Sequence, residues 1–424
     1  MRVAVMTAGS RGDVAPYTGL AHGLAAAGHE VTLVTHGSFA ALAEPAGVAF
    51  RALPVDPRAE LESARGRGLQ RSVTDAGKLL RLSAMARDLV GRMAGPLLAA
   101  ARESDVLLLS SSLAPLGHAI GTGLGLPTLG VYLQPLAATG EFPPSVLGTP
   151  RSLGPAGNRL AGHAVNALVD RIFAGAVRAT ARELGGPVRH TVRAGSHRAR
   201  ERADWPVLHG YSPLVVPRPA DWRNGLRTAG YWWPCDPPEA RLPREVEDFL
   251  AAGPAPVFVG LGSVTVPDGE RLGRLVAGAL RRAGLRGIIQ RGWARLAAEG
   301  PDMLTVGELP HPLLFPRTAA VVHHAGAGTT AAGLRAGVPA VPVPAQFDAG
   351  FWAARLTALG VAPAALPLRR LTEPALASAL RRATGDAAFA SRATALAARL
   401  SEEDGIAPVL AHLDGLARGG QAAG

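Results

Sequence analysis

The sequence predicts an α/β chain of two parallel-sheet domains facing one another across a cleft, and three observations carry that prediction. Short apolar runs alternate with segments long enough to form helices, the pattern of a parallel sheet covered on both faces. Near the middle of the chain Pro217, Pro219, Pro234, Pro237, Pro238 and Pro243 interrupt the series, as an interdomain linker would. A second alternating series then begins at Val257.

The first expected strand is Val3-Ala4-Val5-Met6, which ends in the turn-prone Gly9-Ser10-Arg11-Gly12-Asp13. Pro16 marks the expected start of a helix, because its fixed φ suits the first helical position. Leu20, Leu24 and Ala27 recur at helical spacing up to Gly28, and Val31-Thr32-Leu33-Val34 follows as a strand, completing a βαβ opening. Apolar runs at 106–109 and 128–132 extend the same sheet. Segments 54–75 and 139–158 have weak periodicity and read as mobile loops on the first domain. Beyond the linker, strands are expected at 257–260, 287–289, 303–306, 320–322 and 340–343. Ligands of open α/β sheets gather beyond the carboxyl ends of the strands, so the loops after Met6, Gly260, Val306, Val322 and Val343 are the ones to search.

Composition narrows the function classes. The chain of 424 residues is long enough for two or three domains at roughly 100–200 residues each. Its 48% hydrophobic and 18% charged residues mark a globular protein, and no apolar stretch approaches the roughly 20 residues of a membrane helix. A single cysteine, Cys235, excludes an internal disulfide framework and a cysteine zinc cage. The first residues enter a strand with no basic leader, so a cytoplasmic setting is the expectation. The net charge of +11 could suggest nucleic acid, but it comes from arginines scattered through alanine-rich segments, with Lys78 the only lysine. No nucleic-acid partner is expected.

The most informative segment is His323-His324-Ala325-Gly326-Ala327-Gly328-Thr329-Thr330, between an apolar strand and a helical run. Small residues let the backbone approach a ligand, and the first amides of a helix lack internal partners while the dipole adds partial positive charge. That combination suits a pyrophosphate, although the same turn also serves as a plain strand-to-helix connection. Gly260-Leu261-Gly262-Ser263 is a second such turn, with the Ser263 hydroxyl as a donor. Asp348 follows another strand, where a carboxylate can accept bonds from sugar hydroxyls or simply cap the next helix. Asp13, expected in the loop after the first strand, can take a proton from a nucleophile if burial lifts its pKa, or else order that loop. No Asp-x-Asp triplet or His/Cys cluster marks a metal site, and no P-loop is present.

Gly9-Ser10-Arg11-Gly12-Asp13-Val14-Ala15-Pro16, together with the 323–330 segment, resembles the bacterial branch of the GT-B nucleotide-sugar glycosyltransferases, which contains antibiotic, macrolide and sterol glucosyltransferase-like proteins. Gly230-Tyr231-Trp232 and Ala332-Gly333-Leu334-Arg335-Ala336-Gly337-Val338-Pro339 look most like the sterol group, and the similarity spans nearly the whole chain. The resemblance implies two Rossmann-like domains: an acceptor domain at 1–215, a linker at 216–243, a donor domain at 244–395 and a C-terminal helix at 396–424 packing back on the first domain. It implies inverting, metal-independent transfer to a hydroxyl of a hydrophobic acceptor, with Asp13 as general base and Ser10 beside it. Donor contacts carry over to Gly262, Ser263, His324, Gly326, Ala327, Gly328, Thr329 and Asp348, with the Val306 to Leu309 backbone reading the base. No cofactor is implied beyond a UDP- or dTDP-sugar donor, and the chain is expected to act as a monomer or homodimer. Relatives commonly carry Asp-Gln where this chain has Asp348-Ala349, a loss of hydrogen-bonding capacity that favours a deoxysugar over a fully hydroxylated one. A nucleotide-sugar epimerase and a non-catalytic nucleotide-sugar-binding partner protein are the alternatives at this level.

Overall fold

The computed structural model describes residues 1–56, 59–60, 75–149, 151–185, 195–237 and 239–421, with the side chains of 75–82, 420 and 421 excepted. The sequence-expected loop at 54–75 lies for the most part outside the described residues. The first sheet contains β1 (Arg2–Met6), β2 (Glu30–His36), β3 (Ala49–Leu53), β4 (Val106–Leu109), β5 (Thr128–Tyr132), β6 (Val207–His209) and β7 (Leu226–Thr228). It is covered by helices α1 (Arg11–Ala26), α2 (Asp75–Arg102), α3 (Ala114–Leu124), α4 (Gly154–Glu183) and α5 (His197–Arg202). The second domain contributes α6 (Arg244–Ala251), β8 (Val257–Gly260), α7 (Gly269–Ala283), β9 (Gly287–Gln290), β10 (Met303–Val306), β11 (Ala320–His323), α8 (Ala327–Ala336), β12 (Ala340–Pro342), α9 (Ala349–Ala358) and α10 (Glu373–Gly385). The chain ends with α11 (Ala387–Leu400) and α12 (Ala407–Gln421).

Among the described residues all strand pairs are parallel, in the orders β3-β2-β1-β4-β5-β6-β7 and β10-β9-β8-β11-β12. In each sheet the order reverses at one place, between β1 and β4 in the first and between β8 and β11 in the second. A crevice opens at such a reversal because the connections on either side leave in opposite directions. The alternation along β1 separates two cores. Val3 and Val5 pack with Tyr17, Leu20 and Leu24 of α1, whereas Ala4 and Met6 pack with Leu97, Leu116 and Ile120 on the other face.

Three details differ from the sequence-based expectation. The helix after β1 starts at Arg11, so Asp13 sits in its first turn and Pro16 lies inside it. Ser10 occupies the N-cap, and capping chemistry decides the boundary ahead of the proline. Within the stretch read as linker, Leu226–Thr228 forms β7; Pro219 and Pro234 flank that strand rather than interrupt its ladder. Segment 139–158 is tied down rather than free: the Asp221 carboxylate accepts from Thr139 Oγ1 (2.6 Å) and Gly140 N (2.7 Å), and Phe142 meets Phe351 of α9 at 5.1 Å between ring centres. The chain end returns to the first domain, where Val409 and Leu413 of α12 join the α1 core. The Trp232 indole donates to the Gly405 carbonyl at 2.7 Å and secures that crossing.

Candidate active site

Both order reversals carry residues singled out from the sequence. At the first, Asp13 is the third residue of α1 and its carboxylate folds back onto the helix mouth. Oδ2 accepts from Ser10 N and Ser10 Oγ, each at 2.9 Å, and Oδ1 accepts from Gln134 Nε2 at 3.3 Å. Gly9 is required here. Its φ is +145°, and a Cβ at that position would lie 2.6 Å from Asp13 Oδ2. The Gly9 amide donates to His36 Nε2 at the end of β2 (3.0 Å), and Ser111, after β4, donates to Gln134 Oε1 at 3.3 Å. Burial raises the Asp13 pKa above the ordinary carboxylate value against the lowering effect of the Ser10 and Gln134 bonds. No sequence motif marks Gln134, Ser111 or His36. They belong to the ends of other strands, and only the sheet order brings them to Asp13.

At the second reversal, β8 and β11 run side by side with Gly260 opposite His323. The turn Gly262-Ser263 leaves β8, and His324 leaves β11. Gly262 has φ +55°, and a Cβ there would meet His324 Cε1 at 3.0 Å, so the imidazole packs closely against bare backbone. A side chain at Gly326 would collide with His324 Nε2. Ala325 takes a left-handed φ of +60° although it is fully buried, a strain of order 1 kcal/mol or more that the turn sustains. Its amide donates to His323 Nδ1 at 3.1 Å. Helix α8 begins with Gly326 as N-cap, with no side-chain cap and no acidic residue in the first turn. The first intrahelical bond runs from Thr330 N to the Gly326 carbonyl at 2.9 Å, so the amides of Ala327, Gly328 and Thr329 all precede it.

The histidines here are neutral at physiological pH. Burial lowers the His324 pKa to about 4. Burial followed by repulsion from His324 and His311 lowers His323 to about 3. His324 Nδ1 is buried without a hydrogen-bond partner.

Asp348, at the N-cap position of α9, makes no cap bond; Oδ2 accepts from Trp352 Nε1 at 2.8 Å instead. Its pKa is raised to about 6, first by burial and further by the Asp13 carboxylate, while the Trp352 bond opposes the shift. That mutual repulsion puts Asp13 and Asp348 in one electrostatic environment. The two helix mouths also meet sterically. A Cβ at Gly328 would come within 3.6 Å of the Gly12 Cα and carbonyl oxygen, a carbonyl that Pro16 leaves without its intrahelical N–H. Arg11 pairs with Glu308 across the same gap at 3.2 Å. Val306 and Leu309 bury their side chains in the second-domain core, so only their backbone can face a ligand.

Residues 3–101 match the model of the glycosyltransferase family 28 N-terminal domain, and residues 290–412 match that of the erythromycin biosynthesis protein CIII-like C-terminal domain. The chain is 36% identical over 422 residues to the O-mycaminosyltylonolide 6-deoxyallosyltransferase of Streptomyces fradiae, covering 96% of this chain and 95% of that one. It is 31% identical to a sterol 3-beta-glucosyltransferase of Cryptococcus neoformans, covering 96% of this chain but 26% of that longer protein. The crystal structure of the Streptomyces sp. SF2575 glycosyltransferase SsfS6, complexed with thymidine diphosphate, superposes with a TM-score of 0.61 at 20% identity, covering 97% of this chain and 99% of that one. Two parallel-sheet domains meeting at their order reversals, and a relative 36% identical that is matched over 95% of its length, lead to one conclusion: the chain belongs to the bacterial GT-B glycosyltransferase family that includes macrolide glycosyltransferases and sterol glucosyltransferase-like proteins, and it is an enzyme of glycosyl transfer.

Proposed function

We propose that this enzyme transfers a hexose, with inversion and without a metal ion, from a UDP- or dTDP-sugar to a hydroxyl group of a hydrophobic natural-product or sterol-like acceptor. The observation that carries the proposal is the opposition of two unlike helix mouths, α1 filled by the Asp13 carboxylate and α8 open, with Gly12 against Gly328. The acceptor hydroxyl approaches Asp13, which takes its proton as the oxygen attacks the anomeric carbon. The departing diphosphate lies on the amides of Ala327 to Thr329, where the helix dipole, the His324 ring and the Ser263 hydroxyl meet its charge. Fixed donors of this kind contribute about 3 kcal/mol each in comparable sites. A raised Asp13 pKa makes the carboxylate a stronger base near neutral pH than an exposed aspartate.

The Asp348-Ala349 pair favours a deoxysugar, since an alanine there offers no bond to a hydroxyl. The 6-deoxyallosyl donor named for the Streptomyces fradiae relative is consistent with that reading. A thermal-shift screen with uridine and thymidine diphosphates and their sugars identifies the donor, after which transfer to a panel of macrolide and sterol acceptors is measured with and without a chelator. The expected product carries the inverted anomeric configuration, formed at the same rate in chelator. Retained configuration, or transfer lost on chelation, contradicts the proposal.

A further inference from the structure

We propose a second site, away from the cleft, that binds a zinc-class divalent cation through His163, His197 and Glu201. One ligand atom from each of these side chains lies within 4.8 Å of the others. His163 stands on α4, while His197 and Glu201 are one turn apart on α5 and so share a face.

The arrangement around His197 supplies a second, independent observation. Its Nδ1 lies 2.6 Å from Asp170 Oδ2, and its backbone amide donates to both Asp170 oxygens at 3.1 Å. A carboxylate there holds the tautomer with hydrogen on Nδ1 and leaves the lone pair on Nε2, as the outer carboxylate of a metal-bound histidine does. His197 is 7% exposed, and its Nε2 is buried without a hydrogen-bond partner. His163 and Glu201 stand at the surface beside it, with His163 Nδ1 4.0 Å from Glu201 Oε1 and the two imidazole centres 6.3 Å apart. Zinc bonds of about 2.0–2.2 Å require ligand atoms roughly 3.3 Å apart in a tetrahedron, so closure draws the atoms together by rotation of the exposed His163 and partly exposed Glu201 side chains.

Two imidazoles and one carboxylate suit zinc and its transition-metal neighbours rather than magnesium or calcium, and a water completes the fourth position. The sequence contains no close-spaced motif for such a site, because its histidines sit on different helices. Bound there, the ion ties α5 to α4. The site is distinct from the transfer chemistry, so chelation is expected to lower thermal stability and leave turnover unchanged.

The test uses the full chain without an affinity tag, stripped with chelator and titrated with zinc alone against a chromophoric competitor. Wild type should take up one zinc per chain, with a rise in melting temperature. Asp170→Asn should weaken uptake by about 10–100-fold through loss of ring orientation. His163→Ala, at an exposed position, and Glu201→Gln, at a partly exposed one, each with the fold intact by circular dichroism, should weaken it at least tenfold. No uptake by wild type, or equal uptake by the double variant His163→Ala/Glu201→Gln, overturns the site and leaves His163 and Glu201 as an ordinary surface pair.

Discussion

The mouths of α1 and α8 are the same piece of architecture used in opposite electrical senses. Each helix follows a strand at the order reversal of its sheet, and each therefore presents first-turn amides and a partial positive charge to the gap. In α1 the chain supplies its own anion. Asp13 occupies the mouth, with Ser10 N and Oγ bonded to one carboxylate oxygen. In α8 the corresponding turn is Gly-Ala-Gly-Thr, with no acid in the first turn, no side-chain cap and a neutral histidine beside it. A helix mouth that keeps a carboxylate can hold and move a proton, whereas one left open can hold a ligand's charge. The opposition of the two is what the proposed transfer requires.

The sharpest break of this comparison is Asp13→Asn, which keeps the shape of the cap and removes the base. Transfer should fall by about 10²–10⁴-fold while the thermal shift caused by nucleoside diphosphate stays at the wild-type value. A loss below tenfold would show that Asp13 merely orders the turn. On the other side, His324→Ala should cost about 10²-fold in kcat/KM and, unlike the first variant, also weaken diphosphate binding, as measured by calorimetric titration.

A third prediction concerns the carboxylate that feels the charge of Asp13. Asp348 is lifted to about 6 in the folded protein from an ordinary 3.8, so its native state favours the protonated form. The stability it contributes is present below pH 4 and is lost as pH rises through 6. Asp348→Asn should therefore be more stable than wild type at pH 7, by on the order of 2 kcal/mol, with the difference shrinking toward pH 4. Paired denaturant titrations across that range check the sign, and a difference that grows on acidification would reverse it. The smallest effect is expected from Gly262→Ala. The left-handed φ should cost about 1 kcal/mol of stability, and the added methyl should push His324 out of place, seen as weaker diphosphate binding.

Much of this was legible in the sequence because the informative strands are continuous apolar runs ending in glycine-rich turns. The glycine-rich turn at the mouth of α8 and the strands of the second sheet are readable from local pattern alone, and Asp13 and Asp348 from their place after a strand. The three-residue strands β6 and β7 were not legible, since so short a run has no periodicity and exists only through pairing with a neighbour. Pro16 is a strong local signal for a helix start, whereas the Ser10–Asp13 cap that sets the true start of α1 depends on side-chain geometry. Gln134 and His36 touch the Asp13 region from other strands, so nothing in their own surroundings marks them. The His163, His197 and Glu201 trio is hidden for the same reason, as α4 and α5 bring it together only after folding.

The most direct test gives α8 what α1 already has. Calorimetric titration of uridine and thymidine diphosphates into wild type, Ala327→Asp and Ala327→Asn compares an open mouth, one filled with charge and one filled with a neutral side chain of equal size. The account predicts a loss of at least tenfold in diphosphate affinity for the aspartate variant, a smaller loss for asparagine, and folding stability within about 1 kcal/mol of wild type for both. Equal affinity across the three proteins would contradict it, because the diphosphate would then be held somewhere other than the mouth of α8.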